Sequence, residues 1–167
     1  MRRAHEAAMA YDPVITQTTI VFSDSVQNVL IANSEGVYAE DIRSRNRLAI
    51  SAMATTESEK ETGFVGPGYF GGLEYMNELN IEDYGREAAR SAKTILKAQF
   101  APSGKFPVVI NNGFGGVLFH EACGHGLEAT SVAYKTSVFS DRLEQMVASP
   151  LVTAYDDGTL TNHWGSI

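Results

Sequence analysis

The sequence has little of what secreted, membrane-spanning or nucleic-acid-binding proteins need. Its 167 residues include one cysteine, which excludes an internal disulfide framework and is typical of a reducing compartment. No apolar run approaches the roughly 20 residues that cross a bilayer, and residues 1–10 lack the continuous apolar core of a secretion signal. A formal net charge of -7 argues against nucleic acid and anionic membranes as partners. These features together predict a cytoplasmic protein.

The first hundred residues have the pattern of a sheet covered by helices. β-branched and alternating residues predict an antiparallel meander of four strands, with Ser34-Glu35-Gly36 as a hairpin turn. The predicted strands are 14–23, 28–33, 37–42 and 47–54. Residues 2–10 are predicted to be helical, and so is the segment from Ile81 to about Phe100, which has an apolar stripe and Asn80 as its N-cap. Residues 56–61 are predicted to form a charged turn, and the glycine-dense segment 63–72 is predicted to be an exposed loop.

The remaining residues begin with a proline- and glycine-containing linker at 101–107. A short buried strand is predicted at Val108–Ile110, a helix from Val117 to about Ala129, and a further strand at Leu151–Tyr155. Hydrophobic residues make up 44% of the chain, which is ordinary for a protein with a buried core. The predicted fold class is therefore α+β, in one domain or in pieces of two.

The most informative segment is His120-Glu121-Ala122-Cys123-Gly124-His125, which is predicted to lie on a buried helix flanked by glycines. Two imidazoles and a neighbouring carboxylate suit a hydrolytic zinc site, in which the carboxylate takes a proton from metal-bound water. The common helical motif H-E-x-x-H separates its histidines by four residues, whereas here they are five apart. Five α-helical steps rotate the second histidine by about 140°. We therefore expect either a π-helical turn, which suits a five-residue repeat, or a helix that ends near Gly124.

A catalytic zinc site usually has three protein ligands, and only His120 and His125 are evident. Cys123, Glu128 and His163 are candidates for the third. Cys123 is predicted instead to be a small buried residue, because joint ligation with both histidines would require a broken helix. Glu128 could be a ligand, a partner that orients an imidazole or a surface charge, and orientation is favoured. His163 is predicted to be an exposed loop residue.

Several separate segments resemble the TldD/PmbA family of metalloproteases. The segment from Gly115 to Glu128 is similar to the family's H-E-x-x-x-H signature, and Val29 to Gly36 is similar to its hairpin. The glycine-rich segment from Thr62 and the segment from Val147 to Thr159 resemble further parts of the family. The resemblance covers nearly the whole chain, with its motifs in the expected order.

The resemblance implies a zinc-dependent peptidase that acts on peptides or unstructured polypeptides. His120 and His125 would be ligands of Zn2+, and Glu121 would be the catalytic carboxylate. It also implies a homodimer, or a heterodimer with a related family subunit. Residues 1–100 would be the C-terminal part of an N-terminal α/β domain, and 108–167 the start of a mostly β metallopeptidase domain.

The chain departs from the family pattern in one respect. The family's third zinc ligand is a cysteine farther downstream, and the sequence stops before it, so we expect an internal fragment that is incomplete for activity. Two other hypotheses remain open. One is a non-catalytic assembly or binding subunit of the same family, and the other is a cysteine hydrolase that uses Cys123.

Overall fold

The computed structural model describes residues 1–161 and 163–166, with the side chain of Phe114 left out. The residues cluster into two compact units, Met1–Phe100 with Asp157–Ile167, and Ala101–Asp156. The first unit combines an antiparallel sheet with helices, which confirms the α+β class. The domain assignments made from the sequence stay predictions. Within the described residues, no helix has both the length and the apolar character needed to cross a membrane.

Two long strands, β1 (Ile15–Ala32) and β2 (Tyr38–Thr55), form the centre of the sheet. They pair antiparallel along their length, from Ile15 opposite Ala54 to Ala32 opposite Tyr38. The prediction of four short strands is therefore wrong. Polar residues such as Asp24 and Ser25 do not interrupt β1, because they pair with the facing residues of β2 and their side chains are exposed.

The predicted hairpin turn is present between these strands. The side-chain oxygen of Asn33 accepts hydrogen bonds of 3.0 Å from the backbone N–H groups of both Glu35 and Val37. Gly36 has a φ of +88°, in the region that favours glycine. Local turn chemistry therefore sets the register of the long hairpin.

The glycine-dense segment is not an exposed loop. It contributes to β3 (Lys60–Val65) and β4 (Gly68–Phe70), which both pair antiparallel with β2. The buried side chain of Asn46 donates to the carbonyl groups of Gly71 and Gly72, at 3.0 and 2.9 Å. These bonds fix the chain where it leaves β4.

Two helices, α1 (Arg2–Met9) and α3 (Ile81–Leu96), contact each other and the sheet, and a short helix α2 (Tyr75–Glu78) precedes α3. As predicted, Asn80 caps α3, since its side chain accepts a hydrogen bond from the Asp83 N–H. The buried hydrophobic core comes from α1, α3, β1 and β2. It consists of Ala4, Ala8, Ile15, Leu48, Ile50, Ala52, Ala54, Ile81, Ala88, Ala89 and Ala92.

Small residues allow these layers to approach closely. A Cβ atom added at Gly63 would overlap the backbone of α3 at Ala88 and Ala92, and one added at Gly85 would overlap the Ala4 carbonyl. Backbone atoms cannot move aside as a flexible side chain can. These two glycines are therefore required for β3 and α1 to lie directly against α3.

The second unit is helical where it has regular structure. It contains a 3-10 turn (Gly113–Gly115), α4 (Gly116–Phe119), a π-helical turn (His120–Gly124), α5 (His125–Leu127) and α6 (Ala129–Ala133). The strands predicted at Val108–Ile110 and Leu151–Tyr155 are not formed. An extended segment becomes a strand only when another pairs with it, and no described segment pairs with these two.

Candidate metal centre

The His120–Gly124 segment adopts a π-helical turn between α4 and α5. The N–H of His125 donates to the carbonyl group of His120, five residues earlier. Of the two solutions expected for the five-residue spacing, the π turn is therefore the one observed. Each residue in a π turn advances less around the axis than in an α-helix, so residues five apart return to the same side.

The turn brings together His120, Glu121 and His125. One potential ligand atom from each lies within 4.8 Å of the other two, and this is the only such group of three or more residues identified in the described part of the chain. The two imidazole rings have centroids 4.3 Å apart and meet at 64°. The Nε2 atom of His125 is 3.7 Å from a carboxylate oxygen of Glu121. Two nitrogen donors and one oxygen donor are the types that zinc takes from proteins.

Contrary to the sequence-based expectation, the motif is exposed. All three residues of the cluster belong to the exposed class, with side-chain exposures of 53% for His125 and 64% for Glu121. The apolar residues beside the motif suggested burial, but Leu118 and Phe119 are themselves 62% and 47% exposed. Hydrophobic residues in a sequence indicate which side chains tend to be buried. They do not show which other residues would bury them.

Gly124 has ordinary helical angles, with φ of -55° and ψ of -53°. The π turn therefore does not depend on the conformational freedom of glycine. A Cβ atom at this position would lie 3.4 Å from Nδ1 of His120, in normal van der Waals contact. The missing side chain leaves one edge of the His120 ring uncovered.

Glu128 contacts the second histidine of the motif. Its carboxylate oxygen is 2.6 Å from Nδ1 of His125. This hydrogen bond is the main cause of a raised pKa of His125; desolvation opposes it, and the negative charges of Glu128 and Glu121 add to it. Of the three roles considered from the sequence, a direct contact with the imidazole is the one that the structure contains.

Of the two other candidates for a third ligand, Cys123 is not part of the cluster, and His163 belongs to the other compact unit. Cys123 lies within the π turn and is partly exposed, so the prediction of a buried cysteine is wrong. His163 is exposed in an irregular segment, as predicted.

An open cavity of about 480 Å³ adjoins His120. Its other lining residues include Gly124 and Glu128, which the sequence had singled out, and five that it had not, which are Phe119, Leu127, Ala154, Tyr155 and Asp156. Tyr155 and Asp156 are some 30 residues away from the motif, and no local spacing pattern can indicate such a contact. Apolar walls beside the candidate metal ligands form a surface that an apolar group of a ligand could occupy.

Comparison with known proteins gives matches along nearly the whole chain. Residues 1–96 match the model of the PmbA/TldA metallopeptidase central domain, and residues 103–167 match that of the C-terminal domain. The chain is 38% identical over 165 residues to a metalloprotease TldD homolog from Haemophilus influenzae, covering 96% of the chain and 34% of the relative. It is 35% identical over 157 residues to a metalloprotease from Methanothermobacter thermautotrophicus, covering 94% and 34%.

A solved structure shows the same fold. The crystal structure of a Thermotoga maritima protein, described as a candidate DNA gyrase modulator, superposes with a TM-score of 0.70 at 24% identity. The match covers 86% of the chain and 32% of that protein. The chain thus spans about a third of the length of the relatives that it matches. The resemblance seen in the H-E-x-x-x-H segment is confirmed, and the chain belongs to the PmbA/TldA metallopeptidase family.

Proposed function

We propose that the chain carries part of the active site of a zinc-dependent peptidase, with His120 and His125 as metal ligands and Glu121 as the catalytic base. The observation that carries the proposal is the convergence of two imidazoles and a carboxylate at the π turn. The metalloprotease names of the relatives agree with it. The residues fit zinc, since neutral imidazole nitrogens are common zinc ligands and a carboxylate beside them can act on metal-bound water.

A zinc ion held by the two histidines would lower the pKa of water and polarise a peptide carbonyl group. Glu121 would accept a proton from the attacking water and then deliver it to the nitrogen of the leaving amine. The carboxylate lies beside His125 and is largely exposed, so it can reach a substrate without a change of fold. His120, which precedes Glu121 in the sequence, lines the cavity. A peptide bound in this cavity would therefore lie beside the metal ligands and the base.

The substrates would be peptides or unstructured polypeptides. The cavity beside His120 is open and combines aromatic and aliphatic side chains with the carboxylates of Glu128 and Asp156. Such a surface can hold a single side chain of an extended peptide, whereas a folded substrate would have to expose its backbone first. We further propose that the protein functions in the cytoplasm, as a dimer with a second copy or with a related family subunit. The single cysteine supports a reducing compartment.

The test is to compare metal content and peptidase activity in the full-length protein and in two variants. We expect Glu121→Gln to keep its zinc and to lose activity on an unstructured peptide by about 100- to 10,000-fold, the usual contribution of a general base. His120→Ala should lose both zinc and activity. Glu144→Gln is the matched control, because Glu144 is an exposed carboxylate outside the cluster of His120, Glu121 and His125.

Two outcomes would contradict the proposal. Full activity in Glu121→Gln would remove the role assigned to that carboxylate. A wild-type protein that binds no zinc and cleaves no peptide would favour the alternative, a non-catalytic assembly or binding subunit.

A further inference from the structure

We infer that Glu128 is a positioning residue that holds His125 in one tautomer and one orientation, with Nε2 free to bind a metal ion. The inference rests on the proposed function for its consequence in metal binding. Its structural part, the tautomer of His125, stands without a metal ion.

The first observation is the hydrogen bond itself. An oxygen of the Glu128 carboxylate lies 2.6 Å from Nδ1 of His125. An ionised carboxylate can only accept a hydrogen bond, so the proton of this contact is on Nδ1. A neutral imidazole with its proton on Nδ1 has its lone pair on Nε2. Nε2 is the atom that faces Glu121, at 3.7 Å.

The second observation is that Glu128 has no local helical role. It occupies the N-cap position of α6, with φ of -59° and ψ of 138°, and its side chain makes no capping hydrogen bond. Serine, threonine, aspartate and asparagine are the residues that cap a helix well. The break between α5 and α6 instead turns the Glu128 side chain back toward His125. Contact with the imidazole is therefore what this side chain contributes.

The contact with Glu128 should affect both the affinity of His125 for a metal ion and the orientation of its ring. A histidine ligand usually donates its second N–H group to a carboxylate or a carbonyl, which fixes the ring and increases its basicity. The side chain of His125 is 53% exposed, so packing, including the edge contact with the His120 ring, covers only part of it. Glu128 would thus supply the orientation that a buried ligand obtains from its neighbours.

The experiment measures zinc affinity by competition with a chelator, in the full-length protein and in variants of Glu128. We expect Glu128→Ala to bind zinc about 10- to 100-fold more weakly, the usual effect of removing such a partner. Glu128→Gln should recover part of the loss, because its amide oxygen still accepts from Nδ1–H. Glu144→Gln should bind zinc as the wild type does. Wild-type affinity in Glu128→Ala would overturn the inference.

A second readout needs no metal ion. Nitrogen-15 NMR of the metal-free protein, recorded above the pKa of His125, should show the proton on Nδ1 in the wild type and in Glu128→Gln. In Glu128→Ala the population should move toward the Nε2–H form, which an unconstrained histidine favours. An unchanged tautomer in Glu128→Ala would overturn the inference even if zinc binding changed. If the wild type binds no zinc, the proposed function fails, and the tautomer measurement still decides the role of Glu128.

Discussion

Residues 1–100 and residues 101–156 are ordered by different means. The first region contains every buried hydrophobic residue in the described chain, from Ala4 to Ala92, and its layers lie in close backbone contact. The second region has no buried residue among those whose burial is described. Its side-chain hydrogen bonds join near neighbours in sequence, such as Glu128 with His125 and Ser137 with Gly126. The candidate metal centre therefore depends on local helical geometry, while the fold of the first region depends on its core.

The largest difference should appear when the same side chain is truncated in each region. Ile50 is fully buried in β2, whereas Ile110 is 56% exposed. We expect Ile50→Ala to lower the free energy of unfolding by about 2–5 kcal/mol and Ile110→Ala to change it by no more than about 0.5 kcal/mol. Denaturant unfolding of the full-length protein measures both. Equal losses in the two variants would show that the second region has a core of its own.

A pair of glycine substitutions compares the backbone packing of the same two regions. Alanine at Gly63 would overlap the backbone of α3, whereas a Cβ atom at Gly116 meets nothing within 4 Å. We expect Gly63→Ala to destabilise the protein by about 1–3 kcal/mol through overpacking. Gly116→Ala, within a helix, should be neutral or stabilising by up to about 1 kcal/mol. Thermal unfolding of both variants is the measurement, and a stable Gly63→Ala variant would contradict the close approach of β3 to α3.

The smallest effect concerns the acid stability of the first region. Asp12 accepts a hydrogen bond from Lys93, and this bond is the main cause of the lowered pKa of the Asp12 carboxyl group. Because the pKa is lower in the folded state, the pair stabilises the protein above the ordinary value of 3.8. This contribution is lost as the pH falls below 3.8 toward the folded-state pKa.

Lys93→Met should therefore lower the melting temperature slightly at neutral pH and reduce its decline in acid. Lys105→Met removes an equal charge from an exposed position and should leave the acid decline unchanged. Melting temperatures measured from pH 7 to below pH 3 test this expectation. Identical pH profiles for wild type and Lys93→Met would contradict it.

Sequence reasoning was most successful where neighbouring residues determine the structure. The helix after Asn80, the turn at Ser34-Glu35-Gly36 and the π turn at His120–Gly124 all follow from local spacing and hydrogen bonding. The H-E-x-x-x-H segment also indicated the family, which the comparisons confirm.

It failed where distant residues determine the structure. Lys60 and Glu61 are predicted from the sequence to lie in a charged turn, but they belong to the edge strand β3. They can do so because β2 pairs with them and because exposed charges are compatible with an edge strand. Gly63 is predicted from the sequence to be a loop residue, but in the structure it allows β3 to lie against α3. The cavity beside His120 likewise depends on residues far away in sequence, since Tyr155 and Asp156 line it.

If the π turn directs His120 and His125 at one metal ion, both imidazoles should bind the same zinc. X-ray absorption spectroscopy of the zinc-loaded full-length protein measures this coordination, with His125→Ala as the comparison. We expect two imidazole nitrogens at about 2.0–2.1 Å from zinc in the wild type, and one fewer, with weaker binding, in the variant. The same imidazole count and affinity in both proteins would contradict it.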